Sequence, residues 1–345
     1  MVKSKSKLHF AAIGLAILIL DSQTASEGAS QGIQLCLSTV IPSLFPFIFM
    51  SSALVAMLAE RSIRIIQRMA NMLGMSPESE NCFLVGLLGG YPTGAACIAG
   101  NYRKGKLEKQ QAERMLGFCN NAGPAFLFGI AGTLFPGRLS WIIWLVHILS
   151  ALLTFLLLPK AHGKTPSVQT ELSSVSIASV LIQSVKSMAA ICGWIILFRV
   201  YITILDKWLL WQLPDVLQIT LYGILEISNG CCSLTKIDSS AVRFLLFSCF
   251  LAAGGMCVTM QTKTVTAPLS LNWYIAGKGI QCLISMALCG FLIPLLFPSD
   301  VLSTGAIFLI VIPSTLIYMI TRHFPKKTVD FHSSVLYTKE KSLKR

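Results

Sequence analysis

Apolar positions in this chain gather into runs divided by short polar segments, and inside the runs the apolar character goes all the way round rather than along one stripe. A run of about 20 apolar residues crosses a ~30 Å hydrocarbon core as a helix. Runs of that order occupy 33–58, 139–158, 187–205, 240–260, 270–297 and 301–320, with a shorter first run at 8–20. Three further runs are apolar but interrupted. "NCFLVGLLGGYPTGAACIAG" (81–100) is bent by Gly89, Gly90, Pro92 and Gly94, "GFCNNAGPAFLFG" (117–129) lies within the broken run 116–135, and "ILEISNGCC" breaks the run 216–233. Turn residues at half depth suit a re-entrant hairpin better than a straight crossing, so 82–100 and 216–233 are predicted hairpins with tips near Gly90–Gly94 and Ser228–Gly230. The fold class is then all-α and polytopic, about eight transmembrane helices plus two re-entrant hairpins.

Charge fixes the orientation. With both termini inside, segments on the inner side hold twenty-one Lys and Arg, against three outside (Arg138, Lys207 and Lys236). That is the asymmetry of the positive-inside rule. The net charge of +13 therefore says nothing about nucleic acid, and no basic face with interleaved aromatics appears. Composition agrees: 54% of residues are hydrophobic and 12% charged, half the charge of an average soluble domain, which runs to about 25%. The first run, behind Lys3, Lys5 and Lys7, reads as a retained helix in preference to a cleaved signal peptide. The bilayer is the one partner that composition demands, and the oligomeric state is left open, a homo-oligomer included.

The halves also rhyme. "IQLCLSTVIPSLFPFIF" (33–49) aligns without gaps on "IQSVKSMAAICGWIILF" (182–198), and each half runs span, hairpin, glycine-broken span, continuous span. An odd number of crossings between them makes the hairpins enter from opposite faces, the first from inside. The divisions are an N-terminal helix and outer loop (1–32), a first repeat (33–158), a polar linker (159–171), a second, inverted repeat (172–297), a last span (298–321) and a basic cytoplasmic tail (322–345). Secondary transporters use such inverted repeats to bring interrupted helices together at the midplane.

"GLLGGYPTGAAC", "GFCNNAGPAFLFG" and "LEISNG" resemble the sporulation integral membrane proteins of the YlbJ type, within the wider Gate or nucleoside-recognition group of membrane domains. The resemblance covers the chain from the second span to about residue 320. It implies a multi-pass protein of the cell membrane, the forespore membrane included, in an endospore former, with a role in the spore cortex. A nucleoside specificity is inherited from distant relatives of that group and is not visible in these residues.

The candidate substrate-binding residues are Tyr91, Thr93, Asn120, Asn121, Gly123, Glu226 and Asn229. Asn120 and Asn121 can donate and accept, Gly123 loosens the backbone, and Pro124 removes a helical donor, so the stretch exposes backbone to a polar solute or ion. The competing role is glue between helices, which adjacent residues on one helix face could not both perform. Tyr91 and Thr93 bring hydroxyls to a tip that close glycine packing would also explain. Glu226 alone of fifteen acids falls inside a membrane run, where an acid costs at least ~2–3 kcal/mol and marks a pathway or an ion pair, Arg243 and Lys278 being the pairing candidates. Lys186, Arg199, Arg243 and Lys278 are expected to snorkel to the interfaces. The eleven cysteines are read as small buried hydrophobes, with no CxxC and no Cys/His zinc spacing, so neither metal, cofactor nor disulfide is expected. No nucleophile elbow, HExxH or Walker A motif points to an enzyme. Two readings remain: a protein that binds or transports a small polar solute through a midplane site, or a scaffold that recruits spore-envelope assembly proteins without transporting. An embedded acid and amides are what a scaffold has no need of.

Overall fold

A computed structural model describes residues 2–58, 77–159 and 176–300, with side chains over 12–53 in the first segment and from 81 in the second (His9 also). The last span and the basic tail, and most of the polar linker, lie outside the described residues. All regular structure among the described residues is helical.

Helix α1 (Val2–Leu20) runs into α2 (Ser22–Leu35), a π-turn (Cys36–Val40) and α3 (Ile41–Leu58). Then follow α4 (Pro77–Gly89), α5 (Thr93–Arg103), α6 (Lys109–Cys119), α7 (Pro124–Leu134) and α8 (Gly137–Leu157). After the linker come α9 (Ile177–Trp208), α10 (Asp215–Leu225), α11 (Ile227–Ser233), α12 (Ser240–Ala253), α13 (Gly255–Thr266) and α14 (Asn272–Leu296). Among the described residues five stretches are long and apolar enough to cross a membrane: 22–53, Gly137–Leu157, Ile177–Trp208, 240–266 across the Gly254 break, and Asn272–Leu296.

The outside of the bundle is apolar and the inside partly polar, the reverse of a water-soluble protein. On α8, Trp141, Leu145, Leu149, Leu153 and Leu156 are exposed at helical spacing, whereas Ser140, His147, Ser150 and Thr154 are buried. Lipid is the solvent that selects this arrangement, because polar groups there must find partners inside the protein.

The segment 21–32, expected to be an outer loop, is helix α2. Its small residues are the reason. A Cβ at Gly28 or Gly32 would lie 2.9 Å from the Cα of Val200 or Ile196, so the backbones of α2 and α9 approach as only glycine allows. The polar positions of α2 face the same neighbour: Gln31 accepts from Arg199, and Lys207 and Trp208 both donate to Asp21 just ahead of the helix. The Lys207 hydrogen bond holds the Asp21 carboxyl well below its ordinary range, at about 2.

Four backbone breaks position the centre. α4 and α5 are antiparallel arms, with Cys82 and Cys97 sulfurs 3.3 Å apart, joined through Gly90 (φ 74°), Tyr91 and Pro92. α10 and α11 turn at Glu226 alone, which is extended (φ −148°, ψ 119°). That is two residues before the expected tip, because the Glu226 carboxylate caps α11 from its first turn and Ser228–Gly230 are already helical. The span α6–α7 opens at Asn120–Gly123, and α12–α13 turns at Gly254 and Gly255, both at φ 74°.

Candidate functional site

The four breaks meet. Gly90 of the first tip packs on Gly123, where a Cβ on either would come within 2.9 Å of the other's backbone. Gly255 packs in the same way on the carbonyl oxygens of Gly223 and Ile224 beside the second tip. Gly254 lies against the Tyr91 ring, whose hydroxyl donates to the Leu251 carbonyl at 2.8 Å and so ties the first hairpin to α12. Between them is a cavity of about 30 Å³ lined in part by Tyr91, Gly123, Glu226, Ser228 and Gln261, with Leu44 and Ile195 closing the apolar side. That is room for a water or a small ion, far below the ~300–1,000 Å³ of pockets for drug-sized ligands.

Glu226 is 1% exposed. Its carboxylate accepts from the backbone N–H of Ser228 (3.0 Å) and Asn229 (2.7 Å) and from Asn229 Nδ2 (2.7 Å). Neither Arg243 nor Lys278 bonds to it. Three donors and the N-terminus of α11 hold the acid in place without neutralising it. The Asn229 Oδ1 in turn accepts from Arg199 Nη1 at 2.7 Å, so this cation reaches the acid through an amide.

Sequence comparison adds one observation to this geometry. Over 310 aligned residues, 75% of this chain and 74% of the other, the chain is 24% identical to the sporulation integral membrane protein YlbJ of Bacillus subtilis (strain 168). No family model and no solved structure matches this chain.

At the break between α6 and α7 the two amides part company. The extended backbone at Asn120 (φ −104°, ψ 99°) sends successive side chains to opposite sides. Asn120 donates to Thr262 Oγ1 (2.9 Å) and accepts from the Ala95 N–H (3.3 Å), joining α13 to the first turn of α5. Asn121 donates to the Phe118 carbonyl (2.7 Å) and accepts from Gln281 Nε2 (3.1 Å) and Lys278 Nζ (3.4 Å) on α14. Both are buried and, unlike Gly123, neither lines the cavity. Each therefore serves as glue, to a different helix, which the objection from a single helix face does not cover once the helix is open. Thr93 bonds back to Gly89 within its own hairpin, and Asn229 faces a second, more polar cavity on its far side.

Lys278 corrects the expectation that it snorkels. It is 4% exposed, donates to Gln281 Oε1 at 2.7 Å and to Tyr91 OH at 3.4 Å, and lies over the Tyr91 ring, 5.2 Å from its centre. A run of apolar neighbours places a lysine at a membrane edge only when the helix ends there, and α14 begins six residues earlier, at Asn272. The sequence signal that could have found it is the pairing Lys278–Gln281 at i,i+3, two polar residues on one helix face directed inward. His147 Nε2 accepts from the Ala122 N–H at 3.2 Å and holds the same broken loop from α8.

Proposed function

We propose that the chain is a multi-pass membrane protein of sporulation that binds or transports a small polar solute or ion through the cavity at Glu226. The observation that carries this reading is the meeting of both hairpin tips and both opened helices around one buried acid that has no cation bonded to it among the described residues. An embedded carboxylate is costly unless it serves a pathway, and paired interrupted helices are the means by which secondary transporters build a site at the midplane. The narrowness of the cavity favours a cation or proton at Glu226, with a larger solute admitted only by separation of the tips. The likeness to a sporulation protein, and the resemblance of the motifs, support a role in forming the spore, the cortex in particular. The scaffold reading remains the alternative and makes the embedded polar groups incidental.

The test substitutes Glu226→Gln and Gln261→Leu, both at the cavity wall, in a spore-forming host that relies on this chain. Spore heat resistance is expected to fall to the level of a deletion strain, with protein in the membrane by blot. Normal resistance in both variants would leave the scaffold standing. A glutamine side chain in place of Glu226 offers one acceptor oxygen to three donors. Some loss of stability, about 1–2 kcal/mol, therefore accompanies the first change, and the blot separates the two effects.

Eight crossings, with the hairpins entering from opposite faces as parts of an inverted repeat, complete the proposal. In a cysteine-free background, Asn81→Cys and Asn101→Cys should react with a membrane-impermeant thiol reagent only from inside. Gln212→Cys and Thr235→Cys should react only from outside. Labelling of either pair on opposite sides makes that hairpin a full crossing and sinks the topology.

A further inference from the structure

Beyond Asn229, on the side away from the central cavity, lies a second cavity of about 270 Å³. Gln31 of α2, Arg199 of α9, Asn229 and Ser233 of α11, and Thr235 and Lys236 after it contribute its polar wall. Among the described residues no Asp or Glu lines it. The Arg199 guanidinium is held by two neutral amides: Nε and Nη2 donate to Gln31 Oε1 at 3.0 and 2.6 Å, and Nη1 to Asn229 Oδ1 at 2.7 Å. A guanidinium has five N–H groups, so one remains on each Nη. The Lys236 ammonium is exposed and takes part in no hydrogen bond or ion pair among the described residues. Two acids on α9 and at the α10–α11 turn are engaged elsewhere. Glu226 is capped behind Asn229, and the Asp206 carboxylate takes the Tyr222 hydroxyl (2.5 Å) and Gln218 Nε2 (2.7 Å).

We propose that this cavity is an oxyanion site, taking a phosphate or carboxylate group on the fixed Arg199 fork with Lys236 closing over it. The charge balance makes the placement informative. Basic residues are scarce on the outer side, yet one of the three there lines this cavity beside a pre-oriented arginine. Planar, pre-organised guanidinium is the group suited to oxyanions, and a lone ammonium adds a movable charge. Gln31, Ser233 and Thr235 supply neutral groups for the remainder of a small solute. If the transport reading holds, the site names the class of cargo that waits outside the Glu226 cavity, a small solute with one anionic oxygen group. The same chemistry is carried by lipid phosphate, which the test separates.

The full chain is purified into nanodiscs of phosphatidylcholine and titrated with inorganic phosphate, then with acetate, at low ionic strength, following thermal unfolding. Saturable stabilisation by phosphate is expected, weakened about tenfold or more in Arg199→Gln and severalfold in Lys236→Gln. The latter, at an exposed residue without partners, keeps the test valid if Arg199→Gln folds poorly. Arg138→Gln, remote from the cavity lining, should bind as wild type does. A parallel set in phosphatidylglycerol discs names the source. Stabilisation by that lipid alone, lost in Lys236→Gln, assigns the site to a headgroup, whereas saturation by phosphate in phosphatidylcholine assigns it to a soluble solute. Absence of both responses, or equal binding in both variants, overturns the site. Because binding is read without transport or sporulation, its failure leaves the Glu226 proposal to its own test.

Discussion

Gly86→Ala is expected to remove the protein from the membrane altogether. A methyl at Gly86 would sit 1.6 Å from the Cys119 carbonyl oxygen and one at Gly94 2.1 Å from the same atom. That carbonyl, at the end of α6, is wedged between the two arms of the first hairpin, α4 and α5. The obstacle is backbone and has no rotamer to change, so the hairpin must shift bodily and take its tip off Gly123. Overpacking with no escape of this kind costs about 3 kcal/mol or more, a large part of the 5–15 kcal/mol by which proteins are stable. Membrane content by blot and melting in detergent are the measurements. The control is Gly132→Ala, in α7, where a Cβ meets nothing within 4 Å. That change should be neutral or stabilising by up to ~1 kcal/mol, as alanine is the better helix former. Equal behaviour of the two variants would show that the hairpin does not pack on the opened span as described.

The second large effect is functional, and its sign on stability is opposite to intuition. Lys278→Met should abolish heat resistance of the spore while leaving the melting temperature unchanged or higher. A buried ammonium with only neutral partners carries a desolvation cost of several kcal/mol that Gln281, Asn121 and the Tyr91 ring repay in part. Methionine fills a similar volume and removes that cost, against about 1–3 kcal/mol for leaving Gln281 Oε1 without its donor. Lysine at this position is thus poor for stability, and a role is what remains to justify it. Strong destabilisation together with full heat resistance would make Lys278 a structural strut instead.

Much of the architecture is legible because glycine and proline betray the breaks. Gly90–Pro92, Asn120–Pro124 and Gly254–Gly255 open the helices where turn residues interrupt apolar runs. The content of the site is less legible. Glu226 stands out by charge alone, but its hairpin turns at the acid itself, since a carboxylate cap decides where α11 begins and a turn dipeptide does not. Helix α2 escapes the pattern because Ser, Gly and Gln read as loop in water, whereas here they are the small surface that lets α9 approach. Lys278 misleads. Whether a basic residue within an apolar run reaches the interface or is held inside depends on partners elsewhere in the chain, here Asn121 and Tyr91 as well as the neighbouring Gln281. Most of those pairings span sequence separations that no local pattern reports.

The joint at the centre is made of backbone: Gly90 against Gly123, Gly255 against the Gly223 and Ile224 carbonyls, and Gly86 and Gly94 around the Cys119 carbonyl. A joint without side chains offers an evolving lineage nothing to adjust by degrees. Every alternative to glycine adds bulk on the same scale as the gap, so single substitutions there are refused instead of graded. Ser228, Gln261 and Val258 border the same cavity without belonging to the joint. If the Glu226 cavity takes a solute, changes in what it binds should accumulate at those bordering positions and leave the glycines in place.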